Sequence, residues 1–176
     1  MANENAKAPI PAADLHIILE RPEHADAVEA LVDLNFGPDR FAKTAYRLRD
    51  GLDPVDGLSL VALKDDALVG TLRFWAVKIG ELSALLLGPL AIAPELQGKG
   101  IGRALMAEGL DKARRQGWTA VILVGDAPYY ARFGFRRDLA VNLTLPGPVD
   151  LERFLGFELV PGALDGVSGL VERVER

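Results

Sequence analysis

An amphipathic helix held between two apolar strands constrains this chain more than any other feature. In "IGRALMAEGLDKARRQG" the residues Ile101, Leu105, Met106, Gly109, Leu110 and Ala113 fall within one half of a helical wheel, and Gly117 supplies the stop. Ahead of it, "SALLLGPLAIAP" reads as a strand interrupted at Gly88-Pro89, where the proline cannot donate a ladder hydrogen bond. Behind it, "TAVILVGD" is a short, β-branched, wholly apolar strand of the kind buried in the middle of a sheet.

Other elements arrange themselves around this unit. "LHIILE" (15–20) predicts a strand ending at Arg21-Pro22, and "PEHADAVEALVDLNF" a helix with Ala25, Val28, Leu31, Val32 and Phe36 on one stripe. "DRFAKTAYRLRDG" predicts a second short helix closed by Gly51, and "LSLVALK" with "ALVGTLRFWAVKI" a hairpin across Asp65-Asp66. "APYYARFGF" predicts one or two helical turns ending at Gly134. "DLAVNLTLP" and "ERFLGFELVP" predict a closing pair of strands, with 161–176 a weakly patterned tail. This order implies an α/β chain of the α+β kind, a mixed sheet with helices on it and not the strict alternation of a doubly wound fold. At 176 residues and 49% hydrophobic, the chain is expected to form one domain over 15–176. A flexible leader is expected over 1–14, since "MANENAKAPIPAAD" has neither the basic start nor the apolar core of a signal peptide.

Composition excludes several chemistries. Cysteine is absent, which removes disulfides, thiolate nucleophiles and cysteine metal sites. His16 sits in an apolar strand and His24 in an acidic first turn, so both read as structural or surface residues, and no metal is expected. The longest uncharged run, 82–94, falls short of the roughly 20 residues of a membrane helix, so a cytoplasmic protein without a membrane partner is expected. A net charge of −5 argues against a nucleic-acid partner. Residues 1–40 carry a balance of −5, whereas residues 97–116 carry +3. That locally basic segment suits a phosphate ligand.

The basic segment contains the glycines of "LAIAPELQGKGIGRAL". A glycine-rich turn entering a helix offers unpaired N–H groups and the positive end of the helix dipole to an anion. A P-loop is ruled out because no GK[ST] is present. The dinucleotide fingerprint GxGxxG fails in both frames, meeting Arg103 in one and Leu105 in the other. What remains is Gln97-x-x-Gly100-x-Gly102, directly after an apolar strand and Pro94. In this the sequence resembles the GNAT family of acyl-CoA-dependent N-acetyltransferases. A second match follows at the right distance: Tyr130-x-x-x-Gly134-Phe135, after the next apolar strand. The ending "FELVPGALDGVSG" also resembles the C-terminus of an uncharacterised bacterial branch of that family. One departure is the asparagine many members carry before the tyrosine, replaced here by Gly125-Asp126.

The resemblance implies a mixed central sheet flanked by helices, with strands splayed at the acetyl-CoA site. It implies that Leu90, Ala91 and Ile92 contact the thioester and pantetheine. It further implies that Gln97, Gly98, Lys99, Gly100, Ile101, Gly102 and Arg103 cradle the pyrophosphate. Acetyl transfer to an amine needs a neutral amine, stabilisation of the forming oxyanion, and a proton for the departing thiolate. Backbone N–H groups near Leu90 to Ile92 suit the second task and the Tyr130 phenol the third. Glu81, Asp126 and a water relay all stand open as the base. Ser59, Ser83 and Ser168 lie outside any nucleophile-elbow pattern. Acceptors in the family usually approach between the first two helices and the hairpin, and the acidic first helix here suggests a cationic one, a primary amine on a small molecule or peptide. A homodimer is one state compatible with these readings. The alternative function is a non-catalytic acyl-CoA-binding or sensing module on the same fold.

Overall fold

A computed structural model describes residues 14–175, so the leader expected over 1–14 lies, except for Asp14, outside the described residues. The sheet follows the order β1 (Leu15–Leu19), β2 (Leu60–Lys64), β3 (Ala67–Ile79), β4 (Leu82–Ile92), β5 (Ala120–Val124) and β7 (Phe154–Glu158). All neighbours pair antiparallel except β4 and β5. The hairpin expected at Asp65-Asp66 forms, with both aspartates at positive φ as a tight hairpin turn requires.

Side-chain alternation along β3 and β4 divides the interior into two cores. Phe74, Leu85 and Leu87 face one, with Val28, Leu31 and Val32 of helix α1 (Ala25–Phe36) and Ile101, Leu105 and Met106 of helix α3 (Ile101–Arg115). Trp75, Ala84 and Leu86 face the other, which is closed by Leu48, Leu143, Phe154, Leu164 and Val171. Both long helices therefore lie on one face, and the C-terminal third of the chain covers the opposite face. Among the described residues no helix is long and apolar enough to cross a membrane.

Three elements differ from the sequence reading. The second helix is broken: Pro38–Ala42 is a 3-10 turn, Lys43 is extended, and α2 is the single turn Thr44–Arg47. Arg40 causes the break, because its buried side chain turns back to bond the Gly37 carbonyl, Asp33 and Glu29. The expected closing pair of strands does not form. Asp138–Ala140 is a 3-10 turn, and the two residues of β6 (Leu143–Thr144) pair parallel with β8 (Gly169–Arg173), while β7 joins β5. The tail is the third correction, since β8 extends the sheet against Val77–Ile79 of β3 and buries Val171. The long β3 has room for β2 along its first half and β8 along its last turn of pleat.

Helix α3 approaches the sheet through Gly109, where an added Cβ would lie 2.8 Å from the Phe74 ring and 2.9 Å from Leu72, both fully buried. A close-packed interior cannot yield there. Gly109→Val is expected to lower unfolding free energy by roughly 2 kcal/mol or more, measured by urea denaturation, through overpacking of this contact; wild-type stability would contradict the packing.

Candidate functional site

Strand β4 makes the site by leaving its neighbour. It pairs with β5 at only two positions, Leu85 with Val121 and Leu86 with Ile122, and then diverges. Directly beyond, the β3–β4 register shifts, so that Gly88 and Pro89 together oppose Arg73 in a bulge; the Gly88–Pro89 peptide is cis. Past the bulge the pairing with β3 resumes, and the Ala93 N–H donates to the Val69 carbonyl at 2.8 Å. Because antiparallel ladders alternate, the backbone of Ala91 also faces β3, whereas the N–H groups of Leu90 and Ile92 point away from β3 into the gap. The expected trio thus separates: Leu90 and Ile92 line the cleft, while Ala91 is buried behind it.

The glycine segment closes one end of this cleft, whose volume is about 1310 Å³. After the 3-10 turn Pro94–Leu96, the chain reaches Gly98 (φ 81°) and Gly100 (φ 92°), left-handed conformations that disfavour side chains. Gly100 is the N-cap of α3, and no side chain caps that end, so the first N–H groups of the helix stay available to a ligand. Lys99, Ile101, Gly102 and Arg103 line the same end. Gln97 lines it too, but its amide points back, with Nε2 3.3 Å from the Asn35 Oδ1 and 3.5 Å from the Ile92 carbonyl. Asn35 Nδ2 donates to the same Ile92 carbonyl at 3.1 Å and to Leu31 at 3.0 Å. This network ties α1, β4 and the glycine loop together. Asn35 was not picked out by the sequence; its only signal there is a polar residue one position before the end of an apolar stripe.

Helix α4 (Ala127–Ala131) delivers the tyrosines. Asp126 caps it, accepting the Tyr129 N–H at 3.3 Å. The Tyr130 ring packs edge-on against Tyr129 and Phe135, with centroids 5.0 and 5.9 Å apart. It occupies the space above Gly125, where any Cβ would collide with it. That close approach accounts for glycine at the position where the asparagine departs. Burial pushes the Tyr130 phenol above its ordinary range, with Tyr129 and Asp126 reinforcing the rise and Arg153 opposing it. Burial also raises Tyr129, against Arg132 and Arg103.

Charge in the cleft differs from the expectation drawn from α1. Glu29 and Asp33 pair with Arg40, and Arg73 pairs with Glu20 and Glu29, so these acids are engaged and none of them lines the cleft. The lining carries six cations, Lys43, Arg49, Lys99, Arg103, Arg132 and Arg153, against Asp126 and Asp150. Both acids cap a turn, Asp150 by accepting the Glu152 N–H at 3.1 Å. Glu81 sits in the β3–β4 turn at the opposite end of β4 and does not reach the cleft.

Comparison with known proteins places these features in context. A model of the acetyltransferase (GNAT) domain matches residues 56–137. The uncharacterized N-acetyltransferase YhbS of Escherichia coli K12 is 36% identical over 159 residues, covering 89% of this chain and 94% of that protein. The uncharacterized N-acetyltransferase YjhQ of the same strain is 35% identical over 104 residues, covering 57% of this chain and 58% of its own. The crystal structure of E. coli YhbS in complex with CoA superposes with a TM-score of 0.80 at 33% identity, covering 96% of this chain and 94% of that one. A GNAT acetyltransferase from Brucella melitensis in complex with acetyl-CoA superposes at 0.67 and 29% identity, covering 91% and 96%.

Gly102 and Tyr129 form a pair that can be tested directly. A Cβ at Gly102 would overlap the Tyr129 hydroxyl, while the ring carbon bearing it stays 3.5 Å away. Gly102→Ala is expected to lose about 1–3 kcal/mol of stability. Tyr129→Phe, which removes only the colliding oxygen, should restore part of that loss. A thermal or urea double-mutant cycle measures the coupling, and strict additivity would refute the contact.

Proposed function

Because the chain belongs to the GNAT family of acetyltransferases, we propose that it transfers an acetyl group from acetyl-CoA to a primary amine of a small molecule or peptide, by direct attack in a ternary complex. One observation carries this reading: the free amide edge of β4, the uncapped start of α3 and Tyr130 open onto a single cleft. The CoA and acetyl-CoA complexes of the two similar proteins support the donor. The chain's own residues suit it as well. Nothing lies within 4 Å of where a Cβ would stand on Gly98 or Gly100, which leaves the loop open to a close-lying anion, and Lys99 and Arg103 add positive charge.

Acetyl-CoA, when bound, supplies the activated acyl group as a thioester. In the proposed reaction the Leu90 and Ile92 N–H groups hold the oxygen on which negative charge develops. Fixed donors on a strand need little reorganisation as that charge forms. Tyr130 then gives its proton to the departing sulfur. Its raised phenol stays protonated throughout the neutral range, so the acid is present in its working form. Of the bases open in the sequence, Glu81 is remote and Asp126 is engaged as a cap, which leaves a water relay to take the amine proton. Of the acids on α1 that suggested a cationic acceptor, Glu29 and Asp33 are paired with arginines and none, Asp26 included, lines the cleft, so the proposal keeps the primary amine without a positive charge requirement. A non-catalytic acyl-CoA-binding module is the less favoured reading, since it leaves the placement of Tyr130 beside the open strand unexplained.

Coenzyme A is expected to raise the melting temperature, and an added amine to release free thiol. Tyr130→Phe should lower kcat by about 10²–10⁴ while leaving the KM for acetyl-CoA nearly unchanged. Unchanged turnover would remove Tyr130 from the mechanism. The raised phenol also fixes a sign: kcat should not fall through loss of this proton as pH rises to the ordinary tyrosine value of about 10. A descending limb below that pH, missing from the residual activity of Tyr130→Phe, would keep Tyr130 as the acid and contradict its raised phenol.

A further inference from the structure

Three arginines are shielded from solvent around α1 and β3, and two of them have counter-charges. Arg40 meets Glu29 and Asp33, and Arg73 meets Glu20 and Glu29. Arg49, only 8% exposed, pairs with no carboxylate among the described residues. The Tyr46 and Trp75 rings lie against its guanidinium, 3.7 and 4.8 Å from its central carbon. Its Nη1 donates to the Gly88 carbonyl at 2.5 Å, a group that also accepts the Trp75 Nε1–H at 2.6 Å. Burial pushes its pKa down to about 10, with Tyr46 opposing and Arg73 and Arg40 reinforcing, so it remains a cation at neutral pH.

A buried cation without a partner is costly, and a guanidinium has five N–H donors. The rings cover its faces, Gly88 takes one edge, and the Tyr46 side chain engages it as well. None of its nitrogens is sealed off without a bond, and the residue lines the cleft, so the remaining donors open onto it. Lys43 also lines the cleft. The wall there is fixed by Thr44, whose hydroxyl donates to the Pro148 carbonyl at 2.6 Å, and the one nearby acid, Asp150, is engaged as a cap. A planar fork in such a setting matches a carboxylate or phosphate.

We propose that Arg49 anchors the acceptor, and that the acceptor is a compact primary amine carrying an oxyanionic group, carboxylate or phosphate. This rests on the acetyl transfer proposed above. Gly88 stands two residues before Leu90 on the same strand, with the cis peptide between Gly88 and Pro89 shortening the step, so the guanidinium bound at Gly88 and the proposed oxyanion donor are a short molecule apart. That short separation excludes long polyamines from bridging the two in an extended form.

The test uses four amines on the full chain: β-alanine, phosphoethanolamine, ethanolamine and putrescine. Calorimetric titration into CoA-saturated protein reads the Arg49 site, and free-thiol release with acetyl-CoA reads the transfer. At least one of the two oxyanionic amines should bind about tenfold or more tightly than ethanolamine and putrescine, and the better of them tells carboxylate from phosphate. Arg49→Lys keeps the charge and loses the fork; Arg49→Gln loses both. In either variant the preference should shrink, through KM more than kcat, while CoA still raises the melting temperature as evidence of folding. Equal or tighter binding of ethanolamine or putrescine overturns the inference, as does a folded variant that keeps the wild-type preference. Oxyanionic amines that bind selectively without thiol release would support the Arg49 site and count against the transfer itself.

Discussion

The site depends on one divergence, that of β4 from β5 after Leu86. A strand that leaves its partner in the interior exposes a row of backbone groups, each of which needs a hydrogen bond. The protein answers these groups unequally. The Gly88 carbonyl receives the Trp75 indole and the Arg49 guanidinium, and the Ile92 carbonyl receives the amides of Asn35 and Gln97. Two acceptors along the open edge, the Gly88 and Ile92 carbonyls, are thereby occupied by side chains, while the N–H groups of Leu90 and Ile92 stay available. The gap is consequently an edge of donors, suited to a ligand that brings oxygens. The same divergence makes room for the cleft and sets α1, α3 and α4 around it.

Charge along the chain and charge in space tell different stories here. Residues 1–40 are acidic as written, yet Arg40 and Arg73 fold back onto Glu20, Glu29 and Asp33, so that these three acids are engaged in ion pairs within the fold. Ion pairs of this kind, with one partner shielded, link α1 to the following turn and to β3. The cleft inherits the opposite sign from segments scattered over the chain, Lys43 and Arg49 near α2, Lys99 and Arg103 at α3, and Arg132 and Arg153 beyond α4. A local count of charges reports the first pattern and has no access to the second.

Legibility followed range. The glycine loop, α3, β5 and the tyrosine turn are specified by neighbours in the chain, through helical periodicity, positive-φ glycines and a cap at Asp126, and all were readable. Leu90 and Ile92 were readable as part of a strand, but which N–H groups face the cleft depends on the register with β3, and Ala91 falls on the other side for that reason alone. Asn35 and Arg49 act across 57 and 39 residues of separation, so no local pattern marks them. β8 escaped notice because its strand is short and exposed apart from Val171, and the partner that stabilises it, the far half of β3, lies about ninety residues away.

The two adjacent tyrosines acquire different environments from a single turn of helix. Successive positions on α4 point about 100° apart, so Tyr129 reaches across to Gly102 at the start of α3 while Tyr130 lies over Gly125 at the end of β5. Glycine is needed at both places because a ring or a hydroxyl already fills the volume a Cβ would take. The consequence is chemical as well as steric. Tyr129 feels Arg103 and Arg132, cations at the pyrophosphate end of the proposed donor site, and these oppose the rise that burial imposes on its phenol. Tyr130 is packed between rings with Asp126 close by, and Arg153 is the cation that opposes the rise in its phenol. In the proposed reaction both raised phenols keep their protons at neutral pH, so position decides between them: Tyr130 lies over the end of β5 beside the open strand, whereas Tyr129 stands against the start of α3.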